Sequence, residues 1–294
     1  MRNYILNSIH LVQKVSLITT LAIGATTVLA ANAMASTLRV TVENLAPTNG
    51  NFLTPVWVGF HDGSFDIYDR DVSLDLFSGT EALVEDGNTE PLSNRFAETV
   101  TNGVQGTLLG PNIPPLAPGE STNFTFDIDP NSGQYFSYAS MIIPSNDAFI
   151  ANGNPLAHQI FDDEGNFVGA DFVVLGDEIL DGGTEVNDEA EFSTAFLGQA
   201  TPNTGIDENG VVTLHPGFIS PPEGRILTTT DFNGLNFTGA DFTTPGYEVA
   251  RIRVEAIDNA QAVPEPGIVI GLLMLGSGLL LRELVVTFHG TSVQ

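Results

Sequence analysis

The stretch Thr37-Leu38-Arg39-Val40-Thr41-Val42-Glu43-Asn44 sets Leu38, Val40 and Val42 on one side of an extended chain and Arg39, Thr41 and Glu43 on the other. Successive side chains of a strand point to opposite faces, so a period of two reads as a strand with one face in a core and one in water. Residues 247 to 257 repeat the pattern, with Ile252, Val254 and Ala256 opposing Arg251, Arg253 and Glu255. A one-residue slip would turn the arginines inward, so alternation fixes the register as well as the element type. These two stretches are expected in one sandwich, with Leu38, Val40, Val42, Ile252 and Val254 in its core.

Working outward, strand signals recur at residues 55 to 60, 123 to 128, 135 to 143, 167 to 175 and 211 to 214. Turn chemistry separates them: Pro118-Gly119, Asn131-Ser132-Gly133, Glu164-Gly165-Asn166, Glu208-Asn209-Gly210 and Asn233-Gly234. Helix signals are few and short, at residues 80 to 86 and 90 to 100. Many short strands with regular turn clusters predict an all-β fold, a single antiparallel β-sandwich with long loops and a few short helices over residues 36 to 258.

Charge narrows the function. Between residues 36 and 263 stand 34 acidic residues against six arginines and no lysine, a net charge of −28. Such a surface repels the phosphate backbone, which excludes nucleic acid as a partner, and it attracts cations. With no cysteine in the chain, disulfides and thiolate metal sites are both excluded, so any metal must be held by oxygen or imidazole.

Both ends are membrane-directed. Arg2 and Lys14 precede an apolar run over residues 15 to 30 and then Ala33-Met34-Ala35, the order of a secretory signal peptide spanning residues 1 to 35. The expectation is export to the cell envelope, cell surface or extracellular matrix. Val263-Pro264-Glu265-Pro266 stands before an apolar run over residues 267 to 281 and then Arg282. This resembles the PEP-CTERM sorting signal of exopolysaccharide-producing bacteria, although Glu283 and an apolar tail follow Arg282 where that signal has a basic cluster. Residues 259 to 294 are expected to hold a linker, this motif, an apolar helix outside the sandwich and a tail. The helix would sit in the membrane, retained or transient.

Catalytic motifs are sparse. The histidines between the ends are His61, His158 and His215, and no serine lies in a G-x-S-x-G setting. His61-Asp62-Gly63-Ser64 places a base, a carboxylate and a hydroxyl close in sequence, but a triad is assembled in space. No feature selects a pair among the acids for glycoside cleavage. Asp127-Ile128-Asp129-Pro130-Asn131 opens like an EF-hand loop and then departs from it. Gly133 falls at the seventh position rather than the sixth, and Tyr138 stands at the twelfth. A strand-ending Asx turn is the better reading there, and residues 161 to 167 read as a hairpin tip around Asp162, Asp163 and Glu164.

Two further segments act together: Pro144-Ser145-Asn146-Asp147, and Asp181-Gly182-Gly183-Thr184-Glu185. Taken alone, Asp147 also reads as a helix cap before Ala148, and Asp181-Gly182-Gly183 as a tight turn. In this order, with the opening strand, His61-Asp62-Gly63-Ser64-Phe65-Asp66 and the acidic run 82 to 92, residues 37 to 258 resemble the spondin domain. That module belongs to the extracellular matrix proteins F-spondin and mindin and occurs in bacterial secreted proteins. The resemblance implies a C2-like sandwich topology and one Ca2+ ion held by Asp147, Asp181 and Glu185. It implies a non-catalytic adhesion, matrix or surface module, with exopolysaccharide or other matrix components as partners. The rival readings are an envelope polysaccharide hydrolase with paired carboxylates and an acidic coat protein without a specific ligand.

Overall fold

A computed structural model describes residues 35–112, 114–228 and 234–257. The signal peptide, the Pro-Glu-Pro motif, the linker and the apolar helix of residues 267 to 281 lie outside the described residues. Within them run eleven strands: β1 (Ser36–Asn44), β2 (Phe52–Leu53), β3 (Val56–His61), β4 (Val104–Leu108), β5 (Ser121–Ile128), β6 (Tyr135–Ile143), β7 (Ala148–Ala151), β8 (Ala170–Leu175), β9 (Leu180–Asp181), β10 (Thr213–Leu214) and β11 (Glu248–Ala256). Two helices, α1 (Thr80–Asp86) and α2 (Glu90–Thr99), follow β3.

The strands form two antiparallel sheets. One has the order β5-β1-β11-β8, and the other β10-β9-β7-β6-β3-β4 with β2 beside β6. The opening and closing strands pair directly, Val40 opposite Val254 and Val42 opposite Ile252. Leu38, Val40, Val42, Ile252 and Val254 are all buried, while Arg39 is exposed. The alternation therefore sets the face as read, and each buried Val or Leu stabilises the fold by about 1.5–3 kcal/mol. Val58 and Phe60 of β3, Phe136, Tyr138 and Ile142 of β6, and Ile150 of β7 meet these residues in one apolar cluster between the sheets.

The second sheet is covered on its other face too. Trp57, Ala139, Phe149 and Leu180 turn outward and pack beneath Leu83 and Val84 of α1 and Leu92 and Phe96 of α2. All six residues of β3 are consequently buried. A strand covered on both faces reads as a near-continuous apolar run rather than an alternating one, and Phe136 to Ile143 is broken only by Ser137 and Ser140, both buried and hydrogen-bonded. Pro55 separates β2 from β3, since proline cannot donate to a ladder. Thr54 repairs the gap: its N–H donates to the Met141 carbonyl at 3.1 Å, and its hydroxyl accepts the Met141 N–H at 3.1 Å.

The turn expectations hold at the residue level. Asp129 Oδ1 accepts the Asn131 N–H at 2.9 Å, an Asx turn closing β5. Phe161 bridges Phe167 around a tip where Asp162 Oδ1 accepts the N–H groups of Glu164 and Asn166. Residues 148 to 151 are strand and not helix, so Asp147 caps nothing helical. It sits instead in the tight connection from β6 to β7.

Candidate metal centre

Asp147 is held where one strand ends and the next begins. Ser145 Oγ accepts the Ala148 N–H at 3.1 Å and donates to the Ile142 carbonyl, closing the turn around Asn146 and Asp147. β7 then pairs with β9, Ala148 opposite Asp181, and the Gly182 N–H donates to the Asp147 carbonyl at 3.2 Å. This pairing draws the two candidate loops together across the 34 residues that separate them in sequence.

The side chains extend the junction. Asp147 Oδ2 accepts three hydrogen bonds from the second loop, from Thr184 N–H at 2.9 Å, Thr184 Oγ1 at 3.2 Å and Glu185 N–H at 3.1 Å. Gly182 and Gly183 make room for it. A Cβ on Gly182 would stand 3.1 Å from Asp147 Oδ2, and one on Gly183, whose φ is +65°, would meet the Val211 backbone at 2.6 Å. Asp181 Oδ1 accepts the Gly183 N–H at 2.8 Å, and its Oδ2 accepts Asn187 Nδ2–H at 2.6 Å. Glu185 Oε1 accepts the Gly205 N–H at 2.8 Å. One loop pair thus gathers all three predicted residues, and all three are buried.

Two carboxylate oxygens are left over. Asp147 Oδ1 and Glu185 Oε2 are both buried without a hydrogen-bond partner. A buried polar atom with no partner loses its hydration and gains nothing in exchange, at about 1–3 kcal/mol and more for a charge. The charges acting on these groups are all negative. Burial first and Asp181 second push the Asp147 carboxyl up to about 7. Burial likewise raises Glu185 to about 7, against the Gly205 hydrogen bond and the nearby Asn146 amide, which stands outside good hydrogen-bond geometry to Oε2, and with the charges of Asp147 and Asp86.

Sequence reasoning missed several neighbours. Glu85, buried at the C-terminal end of α1, is raised to about 8 by burial and then, against the Thr184 hydroxyl, by the charges of Glu185, Glu81 and Asp86. A helix C-terminus carries partial negative charge, so this is an unfavourable end for two acids unless a cation is near. Asn187 links the site to a histidine: His215 Nδ1 accepts the Gly217 N–H at 3.1 Å, which leaves Nε2–H to donate to Asn187 Oδ1 at 3.2 Å. The acidic run 82 to 92 carried Glu85 in plain sight, and Asn187 stands two residues past Glu185 in the second segment, whereas nothing near Gly205 or His215 marks them.

Tested as a ligand set, these residues fit a hard cation in part. Asp147 and Glu185 each offer a desolvated oxygen of the kind calcium takes, whereas both oxygens of Asp181 are engaged by Gly183 and Asn187. Among the described residues no three His, Asp or Glu side chains stand together as a ready metal-ligand group. Completing the coordination calls for Asp181 to release Asn187, or for backbone carbonyls and water to take its place.

The other sequence candidates resolve as structure. His61 Nδ1 accepts the Gly63 N–H at 3.0 Å, so Nε2–H points to Ser137 Oγ at 2.8 Å, and Asn152 Nδ2 donates to the same oxygen at 3.0 Å. Ser137 accepts from the imidazole rather than donating to it, the reverse of an activated nucleophile. Asp62 turns to the Ser64 N–H at 3.0 Å. Compared with known proteins, the chain matches no protein-family model and no curated protein.

Proposed function

We propose that this chain is an exported, non-catalytic adhesion or matrix module of the spondin type. Its sandwich would be C2-like, and calcium would clasp the loop after β6 to the loop after β9. Asp147, Asp181 and Glu185 are the residues that would hold the ion. The observation that carries the reading is the pair of buried, unpartnered oxygens, Asp147 Oδ1 and Glu185 Oε2, on two loops already tied by Asp147 Oδ2. A bound Ca2+ supplies the positive charge that this cluster lacks, and catalysis is no part of the role. The surrounding charge of −28 and the membrane-directed ends agree with work outside the cytoplasmic membrane.

Thermal melting with and without calcium tests it. Extracellular calcium modules bind with Kd on the order of 10⁻⁴–10⁻³ M, and free calcium 100-fold above Kd stabilises the fold by about 2.7 kcal/mol. A rise in Tm of several degrees is expected, most of it lost in Asp181→Asn and kept in Asp163→Asn at the hairpin tip. A Tm that chelator leaves unmoved sinks the calcium reading.

A further inference from the structure

Away from the carboxylate cluster, a groove of about 320 Å³ opens at the edge of the sandwich. Val174 of β8 lines it from one sheet, and Tyr138, Leu180 and Leu214 from the other, so it lies where β8 ends the first sheet and the two layers part. Tyr68, Arg70, Asp177 and Glu178 complete its polar side. The volume is at the small end of ligand cavities, which run from about 300 to 1,000 Å³.

The two phenols distinguish this groove from a crease between sheets. Tyr138 is 6% exposed and Tyr68 7%, yet among the described residues neither hydroxyl has a hydrogen-bond partner. Nor is the Tyr138 oxygen sealed in the core with the orphaned atoms of Asp147 and Glu185; it opens onto the groove. Both rings are held in place. Tyr138 lies 5.5 Å from the Phe172 ring, and the Asn152 side chain fixes its backbone N–H at 2.9 Å. Tyr68 stands edge-on to Phe149 at 5.4 Å, and a Cβ on Gly153 would fall 2.7 Å from its ring. Buried tyrosines ordinarily find a partner for the hydroxyl; here none of the described residues supplies one, and a ligand in the groove can.

We propose that this groove binds a saccharide, one pyranose unit of a polysaccharide chain. Leu214, which is exposed, offers an apolar contact for the C–H face of a sugar, with the edges of Val174, Leu180 and the two tyrosines beneath it. Around it stand neutral donors in the phenols, a cationic donor in Arg70 and acceptors in Glu178, the mixed set that a ring of hydroxyls satisfies. A fatty chain would leave those polar groups unpaired, and an anion would meet Asp177 and Glu178. Burial, with the Glu178 charge behind it, holds the Tyr138 hydroxyl protonated, so it is a fixed donor. Asp177 and Glu178 are consecutive on one turn and do not face each other across the groove, so binding and not glycoside cleavage is the chemistry. The proposal rests on the adhesion-module reading for why a saccharide is met. Its residues are separate from those of the calcium reading.

The test is titration of the purified full chain with the methyl glycosides of glucose, galactose, mannose and N-acetylglucosamine, followed by protein NMR. At least one is expected to bind in the millimolar range. Tyr138→Phe and Tyr68→Phe, which keep the ring and the packing, should each weaken binding about five-fold, the size of one lost hydrogen bond, as should Arg70→Ala. Arg39→Ala on β1, which β11 separates from β8, should leave it unchanged. Binding is expected in chelator as in calcium, so a failed calcium titration leaves the groove standing. If no glycoside shifts a resonance at the groove, or if Tyr138→Phe binds as the parent does, the saccharide site is wrong.

Discussion

The backbone N–H and the hydroxyl of Thr184 both end on one oxygen of Asp147, at 2.9 and 3.2 Å, although 37 residues separate them. Oδ2 is therefore fully used in holding the loop, while Oδ1 of the same carboxylate is bare. The two oxygens have different tasks, and two substitutions separate them. Asp147→Ala removes the acceptor of three hydrogen bonds and is expected to cost about 2–4 kcal/mol. Asp147→Asn keeps an acceptor for the loop and removes a charge that burial disfavours. In chelator its Tm should equal or exceed that of the parent, while its calcium response is lost. Equal destabilisation by both variants in urea unfolding would show that Oδ1 has no separate role.

Gly205 offers a second separation. A Cβ there would stand 2.1–2.4 Å from the Glu185 carboxylate. The obstruction is the far end of a flexible side chain, so the fold can yield by moving Glu185. Gly205→Ala should change stability in chelator by less than about 1 kcal/mol and still reduce the calcium-induced rise in Tm. An undiminished rise would remove Glu185 from the ligand set.

The pH dependence follows from buried groups of opposite kind. Asp147 and Glu185 are raised to about 7 and Glu85 to about 8, all by burial first. His61, His158 and His215 are lowered from 6.5 to about 4, again by burial. The histidines contribute stability that is present above pH 6.5 and lost as pH falls toward 4. The acids work in the other direction: the folded state keeps their protons where the unfolded state has released them, so stability falls as pH rises toward 8. Between pH 6.5 and 8 the unfolded histidines give up their remaining protons and the acids dominate the difference between the states. In chelator the Tm should therefore decline across that window, and calcium, which takes the ionised carboxylates, should abolish the decline. A Tm in chelator that rises from pH 6.5 to 8 contradicts the assignment.

Phe96 tests whether the helical layer folds with the sheets. Its ring packs edge-on to Trp57 at 5.4 Å and to Phe65 at 4.9 Å. Phe96→Ala should cost about 3–5 kcal/mol, and the emission of Trp57, the single tryptophan, should move to the red in the native state. A loss below about 1 kcal/mol in urea unfolding would mean that α1 and α2 open independently of the sandwich.

Where one physical rule governed a segment, the sequence was readable. Alternation placed β1 and β11 with their faces, the largely apolar stretch 135 to 143 placed β6, and the helix signal at residues 90 to 100 is kept as α2, with Pro91 in its first turn. β4 escaped because Val104 to Thr107 are all half-buried and Gly106 faces Phe126, a pattern with no period to detect. β2, β7 and β9 are two to four residues long, too short for any periodicity, and tertiary pairing alone makes them strands. The same limit applies to the site. Asp147, Asp181 and Glu185 could be named from two short motifs, but Gly205 and His215 enter from loops whose approach is decided by packing.

β6 has hydrogen-bonded neighbours on both edges, β2 and β3 on one and β7 on the other, and layers on both faces. Eight of its nine residues are buried. Two layers feel any change of volume along it, so inherited variation has almost nowhere to accumulate within the strand. It can accumulate just before the strand, at Gln134, which is half-buried and whose backbone carbonyl takes the Ile160 N–H, but not past its other end, where Ser145, Asn146 and Asp147 are buried and hydrogen-bonded. The strand is thus tolerant at its entry and constrained from Phe136 through Asp147, so the segment that carries the candidate carboxylate is as fixed by packing as the strand that leads to it.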